Sequence, residues 1–193
     1  MGQSLPPSTS PPMREALVSS IPNLRAFAIA LCRDASRADD LVQETLVKAW
    51  NNRALYKEGT NLRAWLFTIL RNTYFSEHRR LRYQASYRET VDTAKSWQHP
   101  EQEGHLDLQD FLGALAELPP DQRESLLLVG AEGFSYEEAA EISGCAVGTI
   151  KSRVNRARRR LSDALQITGS DEFNADPKFE SIVARAAAAA RRV

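Results

Sequence analysis

Cysteine is scarce in this chain, with only Cys32 and Cys145 among 193 residues, far apart in sequence. Two such residues build no disulfide framework and fit a reducing compartment. Net charge is also missing. The 25 Lys and Arg residues balance 25 Asp and Glu, so any electrostatic partner must be met by local placement. No uninterrupted apolar run approaches the roughly 20 residues that span a bilayer, and the opening MGQSLPPSTSPP has no apolar centre, unlike a signal peptide. A cytoplasmic protein without membrane attachment is therefore expected. Phosphate-binding loops, metal-ligand spacings and nucleophile–base constellations are absent as well. No catalytic residue, cofactor or metal is expected.

Proline and glycine are sparse between Met13 and Tyr83, and apolar alternation at period two is missing there. The segment reads as three helices: one from about Met13 to Cys32, one after Asp34 through Trp50 with Asp39 and Asp40 in its opening turn, and one from Asn61 to about Arg82. The pattern dissolves over residues 84–105, which contain Pro100 and Gly104 and read as a linker. His99 and His105 flank Glu101 and Glu103 there, as solvated residues rather than metal ligands. Helicity resumes at Leu106, stops and restarts at Leu118-Pro119-Pro120, and continues through DQRESLLLVGAEG. The expected fold is all-α: two small helical domains, residues 13–83 and 106–167, joined by a flexible linker. A tail (1–12) precedes them and a C-terminal extension (168–193) follows, ending in an Ala-rich stretch that is marginally helical alone.

Charge of one sign is concentrated between Gly148 and Leu161, GTIKSRVNRARRRL, which has six basic residues and no acidic one. At 100° per residue, Ile150, Val154, Ala157 and Leu161 form an apolar stripe. Thr149, Lys151, Ser152, Arg153, Arg156, Arg159 and Arg160 lie outside it. Upstream, Ser135 followed by Glu138 is a capping box, and Gly144 suits the left-handed turn that ends a helix. Helix, glycine turn and basic amphipathic helix make a helix-turn-helix, so the second domain is expected to place this helix in a DNA major groove.

The first domain has a basic helix of its own. Between Asn61 and Arg82, five arginines stand against Glu77, interleaved with Trp65, Phe67, Tyr74 and Phe75. Trp65 and Phe67 read as core. Rings and arginines on one helix also suit unstacked, single-stranded DNA. The preceding helix, DDLVQETLVKAW, presents Asp39, Asp40, Gln43 and Glu44, which suits a protein partner better than phosphate.

DDLVQETLVKAW, NLRAWLFTILRNTYFSEHRR and LPPDQRESLLLVGAEGFSYEEAAEISGCAVGTIKSRVNRARRRL together resemble the extracytoplasmic-function sigma factors of bacterial RNA polymerase. The likeness spans about residues 13–166 and is particularly near the alphaproteobacterial general-stress-response, EcfG-like group. It implies that Asp39, Asp40, Gln43 and Glu44 dock on core RNA polymerase and that Asn61, Arg71, Asn72, Tyr74, His78 and Arg79 read the promoter −10 element. In that reading Asn72 helps hold a flipped base, and the second helix of the helix-turn-helix reads the −35 element. It also implies an anti-sigma partner, and a chain that is monomeric when free. Two alternatives remain at this level. A sigma-mimicking antagonist carries a receiver domain of roughly 110 residues, for which too little sequence follows position 167. A stand-alone helix-turn-helix regulator leaves the aromatic, basic helix around Asn72 unexplained.

Overall fold

The computed structural model describes residues 13–57, 59–87 and 106–165, and among these there is no strand. The expected tail, the linker core at 88–105 and the C-terminal extension lie outside the described residues. The first unit is a three-helix group: α1 (Met13–Cys32), α2 (Ala35–Asn51) and α3 (Leu62–Tyr87), with a single 3-10 turn at Arg53–Leu55. Helix α3 continues four residues into the stretch expected to be linker. The second unit contains α4 (Leu106–Glu117), α5 (Pro120–Leu126), a widened π-type turn at Leu127–Ala131, α6 (Tyr136–Ser143) and α7 (Val147–Ala164).

In the first unit, Leu17, Leu24, Phe27 and Leu31 of α1 pack against Ala38, Leu41, Val42 and Ala49 of α2 and against Leu66, Phe67 and Leu70 of α3. Phe27 and Phe67 meet edge to face at 5.0 Å, a preferred aromatic geometry. By length and composition α1 is apolar enough to cross a membrane, which the sequence expectation had missed. Its apolar face is nevertheless committed to α2 and α3, as in a core helix. The α1–α2 corner turns on Arg33, a non-glycine residue at φ 63°. Asp34 then caps α2 by accepting from the Arg37 amide at 3.0 Å. The acidic group at the positive end of α2 is therefore Asp34; contrary to the expectation from sequence, the first turn holds neither Asp39 nor Asp40.

In the second unit, Ile150, Val154, Ala157 and Leu161 of α7 are fully buried against α5 and α6, the stripe read from the sequence. Every residue from Gln122 to Leu128 is also buried, including Arg123 and Glu124. Arg123, 5% exposed, donates to the carbonyls of Leu115, Ala116 and Leu118 at the end of α4. It also reaches the Leu31 carbonyl at the end of α1 (3.0 Å). A cation at the negative ends of two helices is favourably placed. It joins the two units through their helix termini.

Candidate nucleic-acid interface

The helix-turn-helix is built by local rules. Ser135 Oγ accepts from the Glu138 amide (3.0 Å), and Glu138 Oε2 accepts from the Ser135 amide (2.9 Å). The capping box thus satisfies two groups that the start of α6 would leave open. At the other end Gly144 sits at φ 63°, its amide bonded to the Glu141 carbonyl and that of Cys145 to Ala140. This is a Schellman turn, and it launches α7 two residues later.

With its apolar stripe inward, α7 turns Lys151, Arg156, Arg159 and Arg160 to solvent, together with Asn155, which the sequence reading passed over. Thr149 and Ser152 are half-buried at the same end, Ser152 Oγ donating to the Thr149 carbonyl (2.9 Å). Arg153 differs from expectation. It is half-buried and pairs with Asp121 of α5 at 3.2 Å, because α5 packs alongside and offers a carboxylate. Arg158 is buried.

On α2 the residues Asp40, Gln43, Glu44, Val47 and Trp50 are all exposed. Their spacing of three and four places them on one helical face. Glu44 pairs with Lys48 one turn on (2.7 Å). Asp39 stands apart from them, held by Arg25 of α1 at 2.6 Å.

The third cluster, on α3, is only partly open. Asn72 and Arg79 are exposed. Tyr74 is 4% exposed, and its hydroxyl donates to the Leu31 carbonyl (3.3 Å), so it cannot serve as an outward-facing reader of DNA in this arrangement. The stripe Leu66, Leu70, Thr73, Tyr74, all buried, explains why. Tyr74 falls on the helix face that packs inward, and His78 stacks on its ring at 5.9 Å. Burial pushes the Tyr74 phenol above its ordinary value.

Asn61, Arg63 and Arg71 face the second unit. Arg71 Nε lies 2.6 Å from Glu124 Oε1. Arg63 donates at 2.6 Å to both the carbonyl and Oε2 of Glu132. Asn61 Nδ2 donates to Glu138 Oε1 at 2.8 Å. The π-type turn followed by Gly133 at φ 70° sets Glu132 and Phe134 inward, where both are buried. Phe134 meets Phe67 edge to face at 5.1 Å, and the Arg63 guanidinium lies 4.4 Å from the Phe134 ring centre. Glu124 also accepts from Ser143 Oγ (3.2 Å), while its Oε2 has no hydrogen-bond partner. Burial pushes its carboxyl above the ordinary value, opposed by Arg71.

A helix-turn-helix with a cationic outer face, attached to a three-helix unit with an acidic exposed helix, has the architecture of a DNA-binding protein. Comparison with known proteins gives the family. Residues 108–161 match sigma-70 region 4, and residues 17–71 match the sigma2 domain of PhyR. The chain is 49% identical over 176 residues to the ECF RNA polymerase sigma factor EcfG of Rhodopseudomonas palustris, covering 89% of this chain and 94% of that one. It is 36% identical over 137 residues to the ECF RNA polymerase sigma factor SigC of Mycobacterium tuberculosis, covering 69% and 72%. Among solved structures it is similar to the sigma factor RpoE in complex with the anti-sigma factor NepR from Bartonella quintana. That match has 50% identity and a TM-score of 0.72, over 81% of this chain and 98% of that one. The chain belongs to the ECF RNA polymerase sigma factors.

Proposed function

We propose that this chain directs core RNA polymerase to stress-response promoters, reading the −35 element with α7 and the −10 element with α3 and assisting strand opening. Residues 13–83 act as region 2 and residues 106–167 as region 4, with 84–105 as the connection. The observation that carries the reading is the solvent-facing set Lys151, Asn155, Arg156, Arg159 and Arg160 on the second helix of a helix-turn-helix, a size and charge that fit the major groove. On α3, Asn72 and Arg79 are the groups available to a displaced strand, with Asn61 and Arg71 joining them once released from Glu138 and Glu124. On α2 the docking face is Asp40, Gln43 and Glu44, extended by Val47 and Trp50. Sigma factors are not enzymes in the usual sense, and the chemistry of RNA synthesis belongs to the polymerase. The stress-response assignment and an anti-sigma partner are supported by the likeness to EcfG and to a sigma factor solved with NepR.

Charge reversal tests the docking face. Asp40→Lys should reduce assembly with core polymerase while −35 duplex binding by the same full-length protein is unchanged. Wild-type holoenzyme assembly by the variant would remove α2 from the reading.

A further inference from the structure

The outward side of α7 is almost uniform in its chemistry. Lys151, Arg156, Arg159 and Arg160 are exposed there, and each carries hydrogen-bond donors and no acceptor. Such groups bind phosphate oxygens and the O6 and N7 acceptors of guanine, but none can accept from the N6 amino group of adenine. Asn155, exposed among them and ninth of the helix's 18 residues, is different. Its amide holds an acceptor and a donor side by side, the pair that matches adenine N6 and N7. The other acceptors on the helix fit less well. Half-buried Ser152 offers one oxygen, whose hydrogen is donated to the Thr149 carbonyl (2.9 Å), and half-buried Thr149 likewise has a single oxygen. Asp163 is exposed but stands about 12 Å further along the axis. It lies in the last turn, away from the N-terminal half that meets the bases in a helix-turn-helix.

An asparagine side chain is short, so it reads a base only where the helix lies deep in the groove. Gly148 makes room for that. It precedes Asn155 by seven residues, about two turns, and so lies on the same face. Unlike Gly144 it is not at positive φ, and a Cβ there would meet no atom within 4 Å. Neither the backbone nor the packing of the chain therefore calls for glycine, which weakens a helix relative to alanine. What a missing side chain permits at this point is close approach of the backbone to a ligand.

We infer that Asn155 is a specificity-determining residue of α7. It selects adenine at one position of the −35 duplex through Oδ1 and Nδ2, and Gly148 lets the helix come near enough for it to do so. The inference rests on the reading of α7 as the −35 helix and names the base that one side chain takes. The arginines around it contribute affinity and guanine contacts, and Asn155 adds a choice that donors alone cannot make.

The test uses the full-length protein and a pool of duplexes with a randomised core. Duplexes retained by the wild type are sequenced, and the selected sequence and its single-base-pair variants are titrated by fluorescence anisotropy. Wild type should favour adenine over every other base at one position by about tenfold. Asn155→Ala should flatten that position to within about twofold while the preferences at the other positions persist. Asn155→Gln keeps the acceptor–donor pair and should restore part of the adenine preference. Asn155 is exposed, and alanine and glutamine are better helix formers, so both variants fold. Gly148→Leu should lose the same preference without a lower denaturation midpoint, because the added side chain meets DNA and not protein; an intact preference overturns the part given to Gly148. An alanine variant that loses affinity equally for all sequences overturns the inference, since that marks a phosphate contact. So does one that keeps the wild-type preference at every position, while α7 stands as the −35 reader. A wild type that selects no common sequence removes α7 as the −35 reader and this inference with it.

Discussion

Replacing Arg123 by methionine keeps most of the side-chain volume and removes the guanidinium that donates to Leu115, Ala116 and Leu118 at the end of α4 and to Leu31 in α1. Hydrogen bonds involving a charged group contribute about 1.5–3 kcal/mol each, and a carbonyl left buried without a donor costs about 1–3 kcal/mol. The four are not additive, because helix-end carbonyls can recruit water once the site opens. Burial also pulls the Arg123 guanidinium below its ordinary value, so its removal recovers some desolvation. A net loss of about 3–5 kcal/mol follows, comparable to breaking a buried charge pair and a large part of a typical domain's stability. Urea unfolding followed by far-ultraviolet circular dichroism measures it. Arg123→Lys should recover less than half, because a single ammonium cannot span two helix termini. A loss below about 1 kcal/mol for Arg123→Met would mean that other donors serve these carbonyls and that Arg123 does not join the units.

On α7, Arg156→Ala should weaken −35 duplex binding by about 1–3 kcal/mol if Arg156 reads a base. Arg153→Ala, already paired to Asp121, should cost less, with fluorescence anisotropy on one duplex separating the two. Gly144→Ala should destabilise the chain by about 1 kcal/mol, because φ 63° is strained for any side chain while the surrounding space is open; an unchanged denaturation midpoint would count against the Schellman turn. The raised Glu124 pKa means that the folded state holds this proton more tightly than the unfolded chain. The resulting stabilisation is complete below the ordinary value of 4.5 and is lost as pH rises through the raised value. Glu124→Gln should therefore gain stability relative to wild type as pH rises above 4.5, and parallel stability–pH curves would contradict this. Burial pushes the Cys32 thiol up to about 11, so maleimide at pH 8 should modify Cys145 first, as peptide mapping would show.

The elements set by local chemistry were legible in the sequence. Met13 and Cys32 bound α1 as read, Ser135 and Glu138 form the capping box, Gly144 ends α6, and the stripe from Ile150 to Leu161 is the buried side of α7. The interior of the second unit was not legible. Arg123 and Glu124 lie in a polar run that looks exposed, and only the arrival of α4, α1 and α3 around them supplies their partners. Tyr74 was assigned outward although the spacing of Leu66, Leu70 and Thr73 marks its face as the core side. Arg153 satisfied the helical pattern for exposure, but Asp121, 32 positions earlier in the chain, claims it. Contacts between units leave no periodic signal, so the commitment of Asn61, Arg63 and Arg71 to the three glutamates could come only from the structure.

Run-off transcription tests the central claim most directly. Purified full-length protein and core RNA polymerase are incubated on a promoter library, and the transcripts are sequenced. The account predicts initiation at promoters sharing a −35 and a −10 element at fixed spacing. That initiation should fall with Arg156→Ala and with Asp40→Lys through separate steps, DNA binding and polymerase assembly. Transcripts no different from those of core polymerase alone, despite intact −35 duplex binding by the protein, would contradict it.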